Sequence, residues 1–287
     1  MPLDYARLRS WSFPDVVHRY GATQSILYAL GVGYGDDPTD AQQLRFLYEE
    51  GLTAVPTMAV VLGYPGAWIR EAEIGIDWRR VLHGEQAVTL HRPLPSAGEV
   101  IGRTAIENVI DQGAGRGALI YSRREVIDRA SGELLATLAS TSFCRGEGGF
   151  GGPRGPLKPL HQVPQRSPDA LEERRTSPRA ALIYRLSGDL NPLHIDPATA
   201  HAAGFARPIL HGLATFGVAG HALLKALCGY EVGRFRHMEA RFSAVVFPGE
   251  SILTEIWHTA AGQAAFQCRV LARDVIVLSN GYAEYAA

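Results

Sequence analysis

The stretch Tyr184-Arg185-Leu186-Ser187-Gly188-Asp189-Leu190-Asn191-Pro192-Leu193-His194-Ile195-Asp196-Pro197, and further on Arg207-Pro208-Ile209-Leu210-His211-Gly212-Leu213-Ala214-Thr215, holds the chain's most telling group of side chains. A carboxylate at 189 and an imidazole at 194 form a pair that trades protons near neutral pH. Their spacing is wrong for a helix, where neighbours on one face stand three or four apart. As extended chain it would separate them by about 16 Å. Pro192 turns Asn191 away from the helical region, and Gly188 suits a bend. The two side chains therefore meet only across a bent loop, where they can hold one water molecule in a defined orientation. Two other readings stand beside this one. Asp189 and Asn191 also suit a turn that satisfies backbone amides. Ser187 with His194 and Asp189 would make a serine nucleophile, but no Gly-x-Ser-x-Gly elbow is present.

The longest helical pattern, roughly 212–228, follows at once. Leu213, Phe216, Leu223, Leu224 and Leu227, with small Gly217, Ala219 and Gly220, describe a helix buried on most sides, whose small residues let a sheet approach closely. Gly212 stands at or near its start. A free N–H there, with the helix dipole behind it, is a donor for a carbonyl oxygen gaining negative charge. His211 is read as structural.

Upstream, residues 85–92, 99–110, 117–129 and 133–145 are β-rich and joined by turn signals, which predicts a four-stranded antiparallel meander. Residues 1–20 read as a lead-in packing on this region, Thr23 as the cap of a helix through Leu30, and 40–48 as a short helical stretch. Gly31, Gly33 and Gly35 lack the preceding strand and the third glycine of a phosphate loop. Residues 146–179 are dense in Gly and Pro and read as a strap crossing the surface. Strands are expected again at 239–247, 250–258, 264–273 and 274–285.

The halves align. Gly98-Glu99 matches Gly249-Glu250, Pro56 matches Pro208, and Tyr28 matches Tyr184, all roughly 150 residues apart, as a tandem duplication requires. Each half then reads as a helix, starting near Pro56 in the first, wrapped by a curled antiparallel sheet: an α+β fold. In this register Gly33 and Pro38 replace Asp189 and His194. The first half lacks the acid/base pair and has the shorter helix, which leaves room for a bulky substrate. The expected organisation is residues 1–150 as an N-terminal domain that binds rather than reacts, 151–179 as linker, and 180–287 as the catalytic domain.

Composition excludes several classes. The 287 residues carry 28 basic and 29 acidic side chains, a net charge of −1, which argues against nucleic acid as a partner. Cys144, Cys228 and Cys268 form no framework or zinc spacing. His-x-x-x-His with its Glu is absent, so no metal is expected. No run is long and apolar enough to predict a membrane span. Neither a secretory signal nor a terminal Ser-Lys-Leu is read, so a cytoplasmic location is the expectation. Arg207, Arg234, Arg236 and Arg241 read as solvated charge or as phosphate contacts.

The 184–197 stretch resembles the signature of the type 2, (R)-specific enoyl-CoA hydratases, MaoC-like dehydratases with a hot-dog fold. Tyr28-Ala29-Leu30-Gly31-Val32-Gly33, Pro56-Thr57-Met58-Ala59-Val60, Leu82-His83-Gly84-Glu85-Gln86, Gly148-Gly149-Phe150-Gly151-Gly152 and Pro208 to Gly217 resemble the two-domain form, including the hydratase unit of peroxisomal multifunctional enzymes. The resemblance implies a double hot-dog lyase of fatty-acid metabolism that hydrates trans-2-enoyl-CoA to (3R)-3-hydroxyacyl-CoA without a cofactor. It implies Asp189 and His194 as base and acid, Asn191 as a support of the loop, and the Gly212 N–H on the thioester carbonyl. Substrate contacts fall on His83, Gly84, Leu190, Pro192, Leu193 and Phe242, with Gln112 standing where the family carries a basic CoA contact. The acyl-CoA is then the partner, both a monomer and a homodimer fit, and a hot-dog thioesterase and a non-catalytic acyl-thioester binder are the rival activities.

Overall fold

The computed structural model describes residues 3–287. Its ten strands are β1 (Val16–Tyr20), β2 (Val81–Leu90), β3 (Gly98–Asp111), β4 (Ala118–Asp128), β5 (Leu134–Cys144), β6 (Ala170–Arg175), β7 (Phe235–Phe242), β8 (Ser251–Ala260), β9 (Gln263–Val270) and β10 (Val275–Tyr285). They form one sheet in the order β1-β3-β4-β5-β2-β7-β10-β9-β8-β6. Counted outward from the middle, β2 matches β7, β5 matches β10, β4 matches β9, β3 matches β8 and β1 matches β6. A duplicated unit whose copies meet edge to edge produces this order. The seam is the antiparallel pair β2–β7, in register from Glu85↔Arg241 to Thr89↔His237. This is the expected double hot-dog.

The α-helices are α1 (Tyr5–Arg9), α2 (Ala22–Gly31), α3 (Ala41–Leu44), α4 (Ala180–Tyr184), α5 (Pro197–Ala202) and α6 (Gly212–Cys228). α6 spans the range its pattern predicts. It ends where Gly229 turns left-handed at φ 59°, a conformation without steric cost for glycine. Its small residues face a different partner from the one expected. A Cβ on Gly217 would strike Val32, and one on Gly220 would strike Thr57. The close approach brings in helical segments of the first half, and at Gly220 Met238 of β7 as well.

Five further expectations are corrected. The first-half counterpart of α6 is only a six-residue 3-10 helix, Pro56–Val61. Its Gly63 stop is near, and the β-branched Val55, Val60 and Val61 favour helix weakly. The first four strands are not a simple meander: β2 pairs with β5 and β7, which leaves β3-β4-β5 as the meander. The expected linker contains a strand, β6, which pairs with β8. The cap of α2 is Gly21 with the Gln24 side chain folding back to the Gly21 N–H, not Thr23. Strand β7 also starts and ends earlier than 239–247. The remaining strap does cross the sheet's outer face. Lys158 bonds Glu239 at 2.6 Å, and Asn280 donates to the His161 carbonyl at 2.8 Å.

Candidate active site

Local turns set the loop. Gly188 adopts φ 114°, which ends the 3-10 turn Arg185–Ser187. The Asn191 N–H donates to Asp189 Oδ1 at 3.1 Å, and Asn191 Oδ1 accepts from the Leu193 N–H at 3.2 Å, capping the turn Pro192–His194. Asn191 is thus committed to the loop's shape. Leu190 and Pro192 stand exposed beside the pair, and Leu193 is partly buried.

These turns bring His194 Nε2 to 4.0 Å from Asp189 Oδ2. His194 is 7% exposed, while the Asp189 side chain is half exposed, so one wall of the pair is dry and the other open. His194 Nδ1 lies 2.9 Å from the Ile209 carbonyl oxygen. A carbonyl only accepts, so Nδ1 carries the proton and Nε2 of the neutral ring keeps its lone pair. Burial lowers the His194 pKa below 6.5, opposed by the Ile209 contact and by Asp189. Two acceptors 4.0 Å apart cannot bond each other directly. A water donating one hydrogen to each would span roughly 4–4.5 Å.

His211, read as structural, belongs to this site. Its ring stacks on His194 with centroids 3.7 Å apart, and its Nε2 lies 3.1 Å from the Asp189 carbonyl oxygen. It therefore ties the Asp189 backbone to the start of α6. Burial and then the adjacent His194 pull its pKa down to about 4, so it is neutral at physiological pH. The buried Tyr184 ring packs against it at 5.0 Å. Sequence spacing could not find this contact, because Asp189 and His211 stand 22 residues apart.

Gly212 opens α6, in the first turn, where amides have no intrahelical acceptor. A Cβ at this position would lie 3.3 Å from the Phe242 ring, so glycine is what lets Phe242 approach. Phe242 in turn packs against His83 at 4.7 Å. The line Gly212, Phe242, His83 carries the site across the seam into the first half. Gly84 sits at the bulge between His83 and Glu85, where a Cβ would crowd the Thr141 carbonyl oxygen at 3.2 Å. Gln112 is placed in the turn between β3 and β4, its N–H on the Gly117 carbonyl, and none of its hydrogen bonds joins this cluster.

One first-half residue of this region, Tyr64, went unpredicted, whereas His83 was expected. Tyr64 is 51% exposed, yet surrounding protein raises its pKa, with Asp189 adding to the rise. His83 likewise keeps accessible surface while surrounding protein pulls its pKa to about 4. Ser187, the serine alternative, has its hydroxyl buried without a hydrogen-bond partner and makes no bond to His194.

Among the described residues, Asp189, His194 and His211 bring a carboxylate oxygen and ring nitrogens within 4.8 Å of one another, a metal-ligand set that the His-x-x-x-His test did not reveal. The two rings lie nearly face to face, 26° apart in plane. That suits two stacked neutral imidazoles better than ligands converging on one ion.

Comparison with known proteins agrees with this architecture. The MaoC like domain matches residues 159–280, and the MFE-2 hydratase 2 N-terminal domain matches residues 18–146. The 3-hydroxyacyl-thioester dehydratase Y of Mycobacterium tuberculosis is 41% identical over 273 residues, covering 92% of both chains. The peroxisomal enoyl-CoA hydratase 2 of Arabidopsis thaliana is 36% identical, covering 96% of this chain and 94% of that one. A crystal structure of a MaoC-like dehydratase from Phytophthora capsici superposes with a TM-score of 0.88 at 35% identity, covering 99% of this chain and 98% of that chain.

Proposed function

Because this chain belongs to the MaoC-like hydratase family, we propose that it adds water to a trans-2-enoyl-CoA to form a (3R)-3-hydroxyacyl-CoA, and runs the reverse elimination, at the Asp189–His194 pair. One observation carries the proposal: His194 Nε2 and Asp189 Oδ2 stand 4.0 Å apart, with the His194 tautomer set by Ile209. In this reading the pair orients one water. Its oxygen bonds C3 of the enoyl group while one member of the pair takes its proton. The pair returns a proton to C2, and both groups end in their starting states. The thioester carbonyl accepts from the Gly212 N–H, where charge that develops on the oxygen meets the helix dipole. His211 keeps the loop in register with that N–H.

The reaction needs no redox partner, so no cofactor is assigned. The first half takes the acyl part, beside Phe242, His83 and Tyr64. Medium, long or bulky acyl groups are the expected class, because the short 3-10 helix leaves inner sheet uncovered. Among the described residues no helix is long and apolar enough to cross a membrane.

The test is loss of enoyl absorbance with chiral resolution of the product. Asp189→Ala and His194→Ala should each lower turnover by about 10²–10⁴ with thermal unfolding unchanged. Near-native turnover in both variants, or an (S) product, would sink the reading.

A further inference from the structure

The inner face of the first-half sheet is apolar at two places and polar between them. Alternation along β4 turns Ser122, Arg124 and Val126 to one face. Val126, Leu138 and Val88 join the main core, whereas Ile120, Ala118 and Val109 belong to a second, separate cluster. Between these clusters runs the row Ser122↔Ser140↔Gln86, in register across β4, β5 and β2. Ser122 and Ser140 bond each other at 2.8 Å, and the Gln86 amide donates to the Ala87 and Ala139 carbonyls. These groups are satisfied. Arg124, beside them, is not.

Arg124 Nη2 donates to the Val60 carbonyl at 2.6 Å, and the guanidinium lies 5.4 Å from the Tyr64 ring centre. Its Nε is buried without an acceptor. Among the described residues no ion pair engages it, and Tyr64 is the one group whose charge favours its cationic form, while burial lowers its pKa to about 10. The Arg124 side chain keeps some accessible surface. Both Tyr64 and His83 feel the charges of Asp189 and Arg124 together. The register His83↔Ser142↔Ile120 puts His83 on the same inner face as Arg124, so one sheet face leads from Phe242 and His83 to the guanidinium.

A purely aliphatic tail laid along this face would strip water from an unpaired cation and offer nothing in return. A carboxylate would complete it through a charge-assisted hydrogen bond. We propose that Arg124 selects thioesters whose acyl part carries a carboxylate, so that the preferred substrates are mono-thioesters of dicarboxylic acids rather than plain alkyl chains. This rests on the reading of the site as an acyl-thioester site. It refines the first half from a space for any bulky tail to one that reads charge.

The test is binding, which needs no turnover. Saturated acyl-CoAs and their ω-carboxylate counterparts, over a series of chain lengths, are titrated calorimetrically into wild type, Arg124→Met and Arg124→Lys. Wild type should bind the carboxylate form at least about tenfold tighter at one or more lengths. The Met variant should lose that preference, and the Lys variant should keep part of it. The same preference should persist with N-acetylcysteamine thioesters, which carry no nucleotide phosphates. No preference at any length overturns the proposal. So does an equal loss for both forms in the Met variant, or a preference that vanishes without the nucleotide, which would assign Arg124 to the CoA phosphates. Should the Met variant fail to fold, the wild-type comparison decides alone. A retained binding preference without hydration would remove the proposed reaction and leave the charge selection standing.

Discussion

In the second half, α6 packs against β6, β7, β8 and β10 and fills the inside of its sheet with 17 residues. In the first half the corresponding place holds six residues of 3-10 helix, Pro56–Val61, and the inner sheet face keeps a polar band. The same strand plan thus supports two different interiors. A long helix aims an N-terminal amide and a loop at one point. A short one gives up that aim and leaves a wall. On the proposed reading, chemistry follows the helix rather than the sheet, and the half without the pair contributes through Tyr64, His83 and Arg124.

The sharpest way to break this division is to compare substitutions across it. His194→Ala should lower kcat by about 10²–10⁴, whereas Tyr64→Phe on the first-half wall should act mainly on KM. Steady-state kinetics on one enoyl-CoA checks both, and a kcat loss in Tyr64→Phe as large as that in His194→Ala would place chemistry in the first half as well.

Next in size is the helix N-terminus. Gly212→Pro removes the N–H at a position where proline is tolerated, and Gly212→Ala keeps the N–H while adding the same crowding against Phe242. The difference in kcat between the two should be about 10²–10³. Equal values would mean that the amide does not meet developing charge.

Packing should follow the same asymmetry. Leu223→Ala in α6 empties a fully buried site and should cost about 2–5 kcal/mol in denaturant unfolding. Val60→Ala in the 3-10 helix removes less volume and should cost about 1 kcal/mol. A reversed order would show that the first-half segment holds the core.

The smallest effect is that of pH. His194 must be neutral to act, and burial lowers its pKa from 6.5, so kcat/KM should fall only as pH drops below that value. Stability has the same sign. The folded pKa of His211 is about 4, against roughly 6.5 in the unfolded chain, so the unfolded state binds more protons between those values. Stability should therefore be full above about pH 6.5 and decline toward pH 4. Urea titrations across that window check it. A His211→Gln variant, which keeps an amide donor toward Asp189, should show a shallower decline.

How much of this was readable from residues alone differs element by element. The spacing of Asp189 and His194, with Gly188 and Pro192, specified a bent loop because backbone rules at Gly and Pro are local. The extent of α6 was readable because its apolar pattern and its glycine stop are local too. The anchors Gly98 and Gly249, Pro56 and Pro208, Tyr28 and Tyr184 revealed two copies of one unit. Pro56 also predicted a helix start, and the helix that follows is a short 3-10 one, since Gly63 is near and Val60 and Val61 favour helix weakly. β6 escaped notice because Ala170–Arg175 is charged and pairs only once β8 is beside it.

The sequence by itself determined the duplication, the bent loop that carries Asp189 and His194, the buried helix and the glycine at its start, because each is written in short local patterns of residues. Tertiary structure alone decided the rest. It set the 4.0 Å gap between His194 and Asp189, the stacking of His211 on His194, and the placing of His83 against Phe242 and of Arg124 beside Tyr64. Those relations join residues from different strands and both halves. They depend on the register of the β2–β7 seam and on where α6 sits, and pairing and packing across a chain set such distances, which no local pattern encodes.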